Sequence, residues 1–177
     1  MKLKTIKIIP VFGIFALSFF LHFLYELFPN VLFSIFVPVN ESIWEHMKIL
    51  FTAIILYGII DYILLKKNNI KFNNFRFQLF FTGFISIVIY LILYLPLYKI
   101  FGEVMFISIS LMVVVYLVIS YISYKLLLSD DYGKINDISV YLVIVMYFVF
   151  TYLTYFPPHN YLFYDTLENK YGISEYK

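Results

Sequence analysis

The chain has 177 residues, 63% of them hydrophobic and 14% charged, with a formal net charge of +2. Soluble domains are about 45–50% apolar and about 25% charged, so a soluble globule of this composition would expose apolar patches that such proteins avoid, and disorder is excluded by the same hydrophobicity. The small net charge gives no basis for nucleic-acid binding, and the lack of cysteine removes disulfides, thiolate metal sites and cysteine nucleophiles.

A helix needs roughly 20 apolar residues to cross the hydrocarbon core. Five runs qualify in chain order. The first covers 8–28 and is stopped by Pro29. It follows three lysines, as a secretion signal would, but it is long for a signal and no Ala-x-Ala-like site follows, so it reads as a retained helix. The second covers 43–65, the third 77–98 with Pro96 near its end, and the fourth 104–124. The fifth covers 138–156 and ends at Pro157-Pro158, because proline lacks the N–H a helix needs. The predicted fold is all-α, a single domain over 1–177: a polytopic bundle of five transmembrane helices with an outer C-terminal tail at 157–177, in the cell membrane and partnered by the lipid bilayer.

Orientation follows the distribution of basic residues. With the N-terminus inside, Lys2, Lys4, Lys7, Lys66, Lys67, Lys71, Arg76, Lys125 and Lys134 fall inside, while only Lys48, Lys99, Lys170 and Lys177 fall outside. Five spans then put the C-terminus outside. The loop 66–76 reads as a topology determinant against anionic headgroups, and 129–137 reads as a turn. Asp61, near the inner end of the second span, can reach toward Lys66 or Lys67. The apolar connection 30–37 is too short to span and reads as re-entrant or interfacial.

All three histidines map to the outer half. His22 and Glu26 are spaced i, i+4 and share one face of the first helix. In 38–48, Ser42 and Glu45 fit a capping box, and Trp44 sits at interfacial level. Glu41, Glu45 and Lys48 form a stripe, and Lys48 below the interface calls for a carboxylate partner: Glu45, Glu41 or Glu26. After Pro157-Pro158, His159 lies near the surface, and the apolar run 161–164 gives the tail a reason to fold over the bundle mouth, bringing Asp165 with it. Ionisable groups at membrane depth are functional candidates by default. The expectation is one outer-facing pocket collecting His22, Glu26, Glu45, His46, His159 and Asp165. The histidines would be metal ligands, for a divalent ion such as zinc, and Glu26, Glu45 and Asp165 further ligands or acid/base groups. Glu41, Ser42, Trp44 and Lys48 would serve capping and pairing.

The strings PVNESIWEHMK at 38–48 and PPHNYLFYD at 157–165, with HFLYE at 22–26, resemble the signatures of an uncharacterised family of small prokaryotic multi-pass membrane proteins. That resemblance implies the membrane class and singles out these residues, and supplies no activity. A looser analogy is to membrane hydrolases that hold zinc with three histidines and an acid, although those have seven spans and another motif order. The only arginine, Arg76, is on the inner side, away from the histidines, so an arginine-dependent phosphatase site is excluded. Three functions stand: a metal-dependent hydrolase or small-ligand site acting on a lipid or small molecule at the outer leaflet, a transporter or receptor-like solute-binding protein, and a non-catalytic membrane subunit.

Overall fold

A computed structural model of the chain describes residues 2–173. Lys177, counted above to the outer side, lies outside the described residues. Helix α1, Leu3–Ile6, leads directly into α2, Ile9–Leu27, and the two form the first apolar span. After α3, Val31–Phe36, come the four remaining spans: α4, Ile43–Lys67; α5, Phe75–Phe101; α6, Met105–Leu128; and α7, Lys134–Tyr155. Five helices are thus long and apolar enough to cross a membrane, as expected of a multi-pass membrane protein. The tail adds a short antiparallel pair, β1, Tyr164–Asp165, and β2, Lys170–Tyr171, with Tyr164 opposite Tyr171.

Helices α2, α4, α5 and α6 contact one another pairwise in a closed ring, and α7 packs outside it against α5 and α3. Helix α4 is the central element: 61% of its apolar window is buried, against 17–33% for the other spans. Lipid tails are as apolar as leucine, so close packing and hydrogen bonds must hold such helices together. Gly83 supplies one close approach, since a Cβ there would lie 2.8 Å from the Phe51 ring of α4. In mid-ring, Ser18 of α2 and Tyr116 of α6 share a hydrogen bond of 2.6 Å, both almost fully buried. Outward faces stay apolar, with Phe12, Phe19, Ile59, Ile63, Ile92 and Phe148 exposed to the lipid side.

Three local readings change. The third span does not end at 98 but runs on to Phe101, where Gly102 closes it at φ +70°. The capping box at Ser42 is half formed. The Ser42 hydroxyl accepts from Glu45 N at 3.3 Å, but Ser42 N donates to Asn40 Oδ1 at 2.9 Å, which frees the Glu45 carboxylate for other work. Asp61 turns into the ring and pairs with Lys7, not with Lys66 or Lys67. Lys66 lies instead over the rings of Tyr62 and Phe72.

The connection 30–37 gains a fold that the sequence showed only as apolar. Asn30 caps α3 by accepting from Phe33 N at 3.0 Å. The carbonyls at its other end are satisfied by α4, with Lys48 Nζ donating to Ser34 O at 2.8 Å and Thr52 to Phe36 O at 2.7 Å. Side chains of α4 thus do what water would do for a helix end in solution. At the opposite end of the bundle the two turns are clipped together. The Asn74 amide donates to Asp130 O at 2.7 Å and its oxygen accepts from Tyr132 N at 2.7 Å. Asn136 caps α5 by accepting from Arg76 N and Phe77 N.

Candidate metal centre

Near the end of α2 and at the start of α4, three side chains converge. His22 reaches across from α2, and His46 rises from the first turn of α4. Glu41, just before Ser42, lies between them. His46 Nε2 is 3.4 Å from Glu41 Oε2, and His22 Nε2 is 3.7 Å from Glu41 Oε1. The two imidazole centroids are 5.3 Å apart. One ligand atom from each residue falls within 4.8 Å of the others. Bonds of about 2.0–2.1 Å around zinc put neighbouring ligand atoms about 3.3 Å apart, somewhat closer than the three atoms lie here.

Local structure prepares each ligand. His46 Nδ1 is 2.9 Å from the Ser42 carbonyl, which only accepts, so Nδ1 carries a proton and Nε2 is the ring atom turned toward Glu41. Glu41 is held through its backbone, whose N–H donates to Asp165 Oδ2 at 2.9 Å. Asp165 is completely buried, and its other oxygen accepts from Leu167 N and Glu168 N. The hydrogen bond from His46 is the main cause holding the Glu41 carboxyl below its ordinary range, with the nearby charge of both histidines adding to it.

The cluster opens onto a cavity of about 60 Å³ between α4, α5 and α6. Tyr90, Tyr94 and Ser108 line it. Glu103 stands at the rim, and Thr166 of the tail donates to it at 2.9 Å, so the tail forms part of the wall. The space takes a few water molecules or one small polar group.

A family profile matches residues 1–173, taking in both histidine-bearing helices and the tail. The chain belongs to DUF6512, a family of unknown function. Comparison with curated proteins finds no match, and neither does comparison with solved structures.

For this member of DUF6512, the residues singled out in the sequence divide into distinct groups. His22 and His46 come together. Glu45 turns away into a closed network: its Oε2 takes Lys48 Nζ at 2.6 Å and Val39 N at 3.0 Å, and its Oε1 takes the Thr154 hydroxyl at 2.7 Å. Lys48 donates its remaining protons to Ser34 O and Thr154 Oγ1, so its ammonium is saturated. Of the three carboxylates offered for Lys48, the structure pairs it with Glu45. Glu26 is exposed and acts on His22 only through its charge. His159 is exposed and stacks on Tyr171 at 4.5 Å, and is not one of the clustered ligands. Asp165 supports Glu41 from behind through the backbone. Trp44 anchors the tail, its ring packing on Phe163 at 5.1 Å while its backbone N–H donates to Leu162 O at 2.8 Å.

The sequence reading gave Glu41 only a pairing role and did not single out Glu103, Tyr90 or Tyr94. The tyrosines carried a usable signal, since Tyr90, Tyr94 and Tyr98 are spaced i, i+4, i+8 on one helix face. Glu103 carried none, because its approach depends on how α5 and α6 are joined.

Proposed function

We propose that the chain is a metal-dependent hydrolase of the cell membrane, with His22, Glu41 and His46 holding a divalent ion, zinc by donor type, at the outer mouth of the bundle. The observation that carries this reading is the convergence of two imidazole nitrogens and one carboxylate on a common point beside an open cavity. Two histidines and a glutamate are a familiar ligand set of catalytic zinc, in which the fourth position is left to water. An ion held there would lower the pKa of its bound water and so supply a nucleophile at neutral pH. Glu103 faces the same cavity and is the candidate acid/base group, replacing Glu26, Glu45 and Asp165 in that role. The outer position rests on the nine-to-four distribution of basic residues. A site at that level meets the polar end of an outer-leaflet lipid, so an amide or ester bond of such a lipid is the proposed substrate.

Elemental analysis of the purified chain tests the metal directly. The expected result is one zinc per chain, removed by chelator together with a fall in melting temperature. His46→Ala should weaken retention of the ion at least about tenfold, since losing even an outer-shell partner typically costs 10–100-fold. A chain that takes up no divalent metal at any pH would end the hydrolase reading.

A further inference from the structure

At the end of the ring away from the histidines lies a second, partly open cavity of about 20 Å³. Every ring helix contributes to its wall: Lys7 and Pro10 from the α1–α2 junction, Asp61 from α4, Gln78 from α5, and Ser123 from α6. Lys7 pairs with Asp61 through Oδ2, and both side chains are almost fully buried. That pair leaves the other carboxylate oxygen uncommitted. Among the described residues, Asp61 Oδ1, Gln78 Oε1 and Ser123 Oγ have no hydrogen-bond partner, although the three residues are only 3%, 3% and 5% exposed. The Gln78 amide nitrogen is committed to Thr82 Oγ1 at 3.2 Å, which leaves its oxygen as the open atom.

Buried polar atoms are ordinarily satisfied, and inside a membrane water cannot freely do it. Here three unpartnered oxygens from three helices border one small space. A carboxylate, an amide carbonyl and a hydroxyl make a hard donor set suited to alkali and alkaline-earth ions. The space takes a single water-sized particle.

We propose that this cavity is a site for a monovalent cation of sodium size, and that the Lys7 ammonium is a tethered competitor for the same carboxylate. Asp61 carries one negative charge and balances one cation. A free cation added beside a seated Lys7 would leave an uncompensated charge in a medium of low dielectric, which is strongly unfavourable. Entry of the cation therefore requires Lys7 to leave. Its position at the α1–α2 junction permits this, because a long lysine stem near a helix end can carry its charge to the membrane surface. The site is independent of the proposed metal centre.

The two partners of the ion pair then respond in opposite ways, which a purely structural pair would not do. The test is thermal melting of the full chain in detergent, in sodium chloride against choline chloride at equal ionic strength. Sodium at about a hundred times its dissociation constant should raise the melting temperature of Lys7→Met by roughly 5 °C or more. The wild type should shift less, because Lys7 competes. Asp61→Asn and Gln78→Leu should show no difference between the two salts, and His46→Ala should keep the wild-type difference. Equal melting of Lys7→Met in both salts would overturn the proposal, as would a sodium shift that survives in Asp61→Asn. Should Lys7→Met fail to fold, the wild type and Ser123→Ala decide: a sodium shift in the first that shrinks in the second supports the site, and no shift in the wild type rejects it.

Discussion

Lys48 and Glu41 sit seven residues apart at the same end of the bundle, and their surroundings give them opposite tasks. Lys48 has no exposed surface, and its ammonium is used up by Glu45, Ser34 and Thr154. Such a group holds structure and has no valence left for chemistry. Lys48→Met removes one partner of a buried pair, a change that typically costs about 3–5 kcal/mol. Melting in detergent should register that loss, and Lys48→Met combined with Glu45→Gln should lose less than the two single changes added together. Strict additivity would show that the pair is not coupled. Glu41 is partly exposed, and its carboxylate faces the Nε2 atoms of His22 and His46. The sequence made Lys48 legible as a buried cation in need of an acid. It could not choose among three glutamates, because that choice depends on which of them the half-formed capping box at Ser42 releases.

At the scale of elements, helix periodicity and length were enough to place all five spans, since nothing but a helix satisfies its own backbone in lipid. The short helix α3 and the strap formed by the tail were not legible, because both rest on long-range bonds. Helix α3 depends on Lys48 and Thr52 of α4, and the strap depends on Asp165, which is distant from Glu41 in sequence. Asp165 accepts from three backbone N–H groups, of Glu41, Leu167 and Glu168. Asp165→Ala leaves these donors without their acceptor, at about 1–3 kcal/mol for each that stays buried. We expect the strap to loosen while the bundle persists: limited proteolysis should cut within 160–171, and helical circular dichroism should be unchanged. A tail as resistant as that of the wild type would show that Trp44 and Phe163 hold it without the aspartate. His159 shows the limit of the sequence argument from the other side. Its place after Pro157-Pro158 put it at the right level, but the β1–β2 turn draws it onto Tyr171 and away from His22 and His46.

The molecule as a whole has two polar ends separated by a packed middle, where Ser18 and Tyr116 satisfy each other. From sequence the histidine-bearing half drew attention, because three histidines and a lysine stand out among apolar residues. The other half offered Asp61 and Gln78 on separate helices, with no spacing to connect them, and only the ring brings them together with Lys7. The excess of basic residues on the Lys7 side is the ground for expecting that end to face the cytoplasm. Tags placed at the N-terminus and in 66–76 should be shielded in intact cells, and a tag in 29–42 should be accessible. The reverse pattern would place the proposed hydrolase site on the cytoplasmic face.

The network around Lys48 also orders the events of biogenesis. Helix α4 enters the bilayer long before α7 is synthesised, yet the Lys48 ammonium is completed by Thr154 near the end of α7. Early in insertion α4 can hold Lys48 only through Glu45, one turn away, and through the carbonyl of α3. Those two bonds join α3 to α4 without any contribution from the later spans. The last helix then docks on a pre-assembled surface, and Thr154 closes the ring of hydrogen bonds by accepting from the lysine and donating to the glutamate. Only after that can the strap following α7 reach back to Glu41. A chain without α7 would therefore lack both the Thr154 contact to Lys48 and the strap's hold on Glu41.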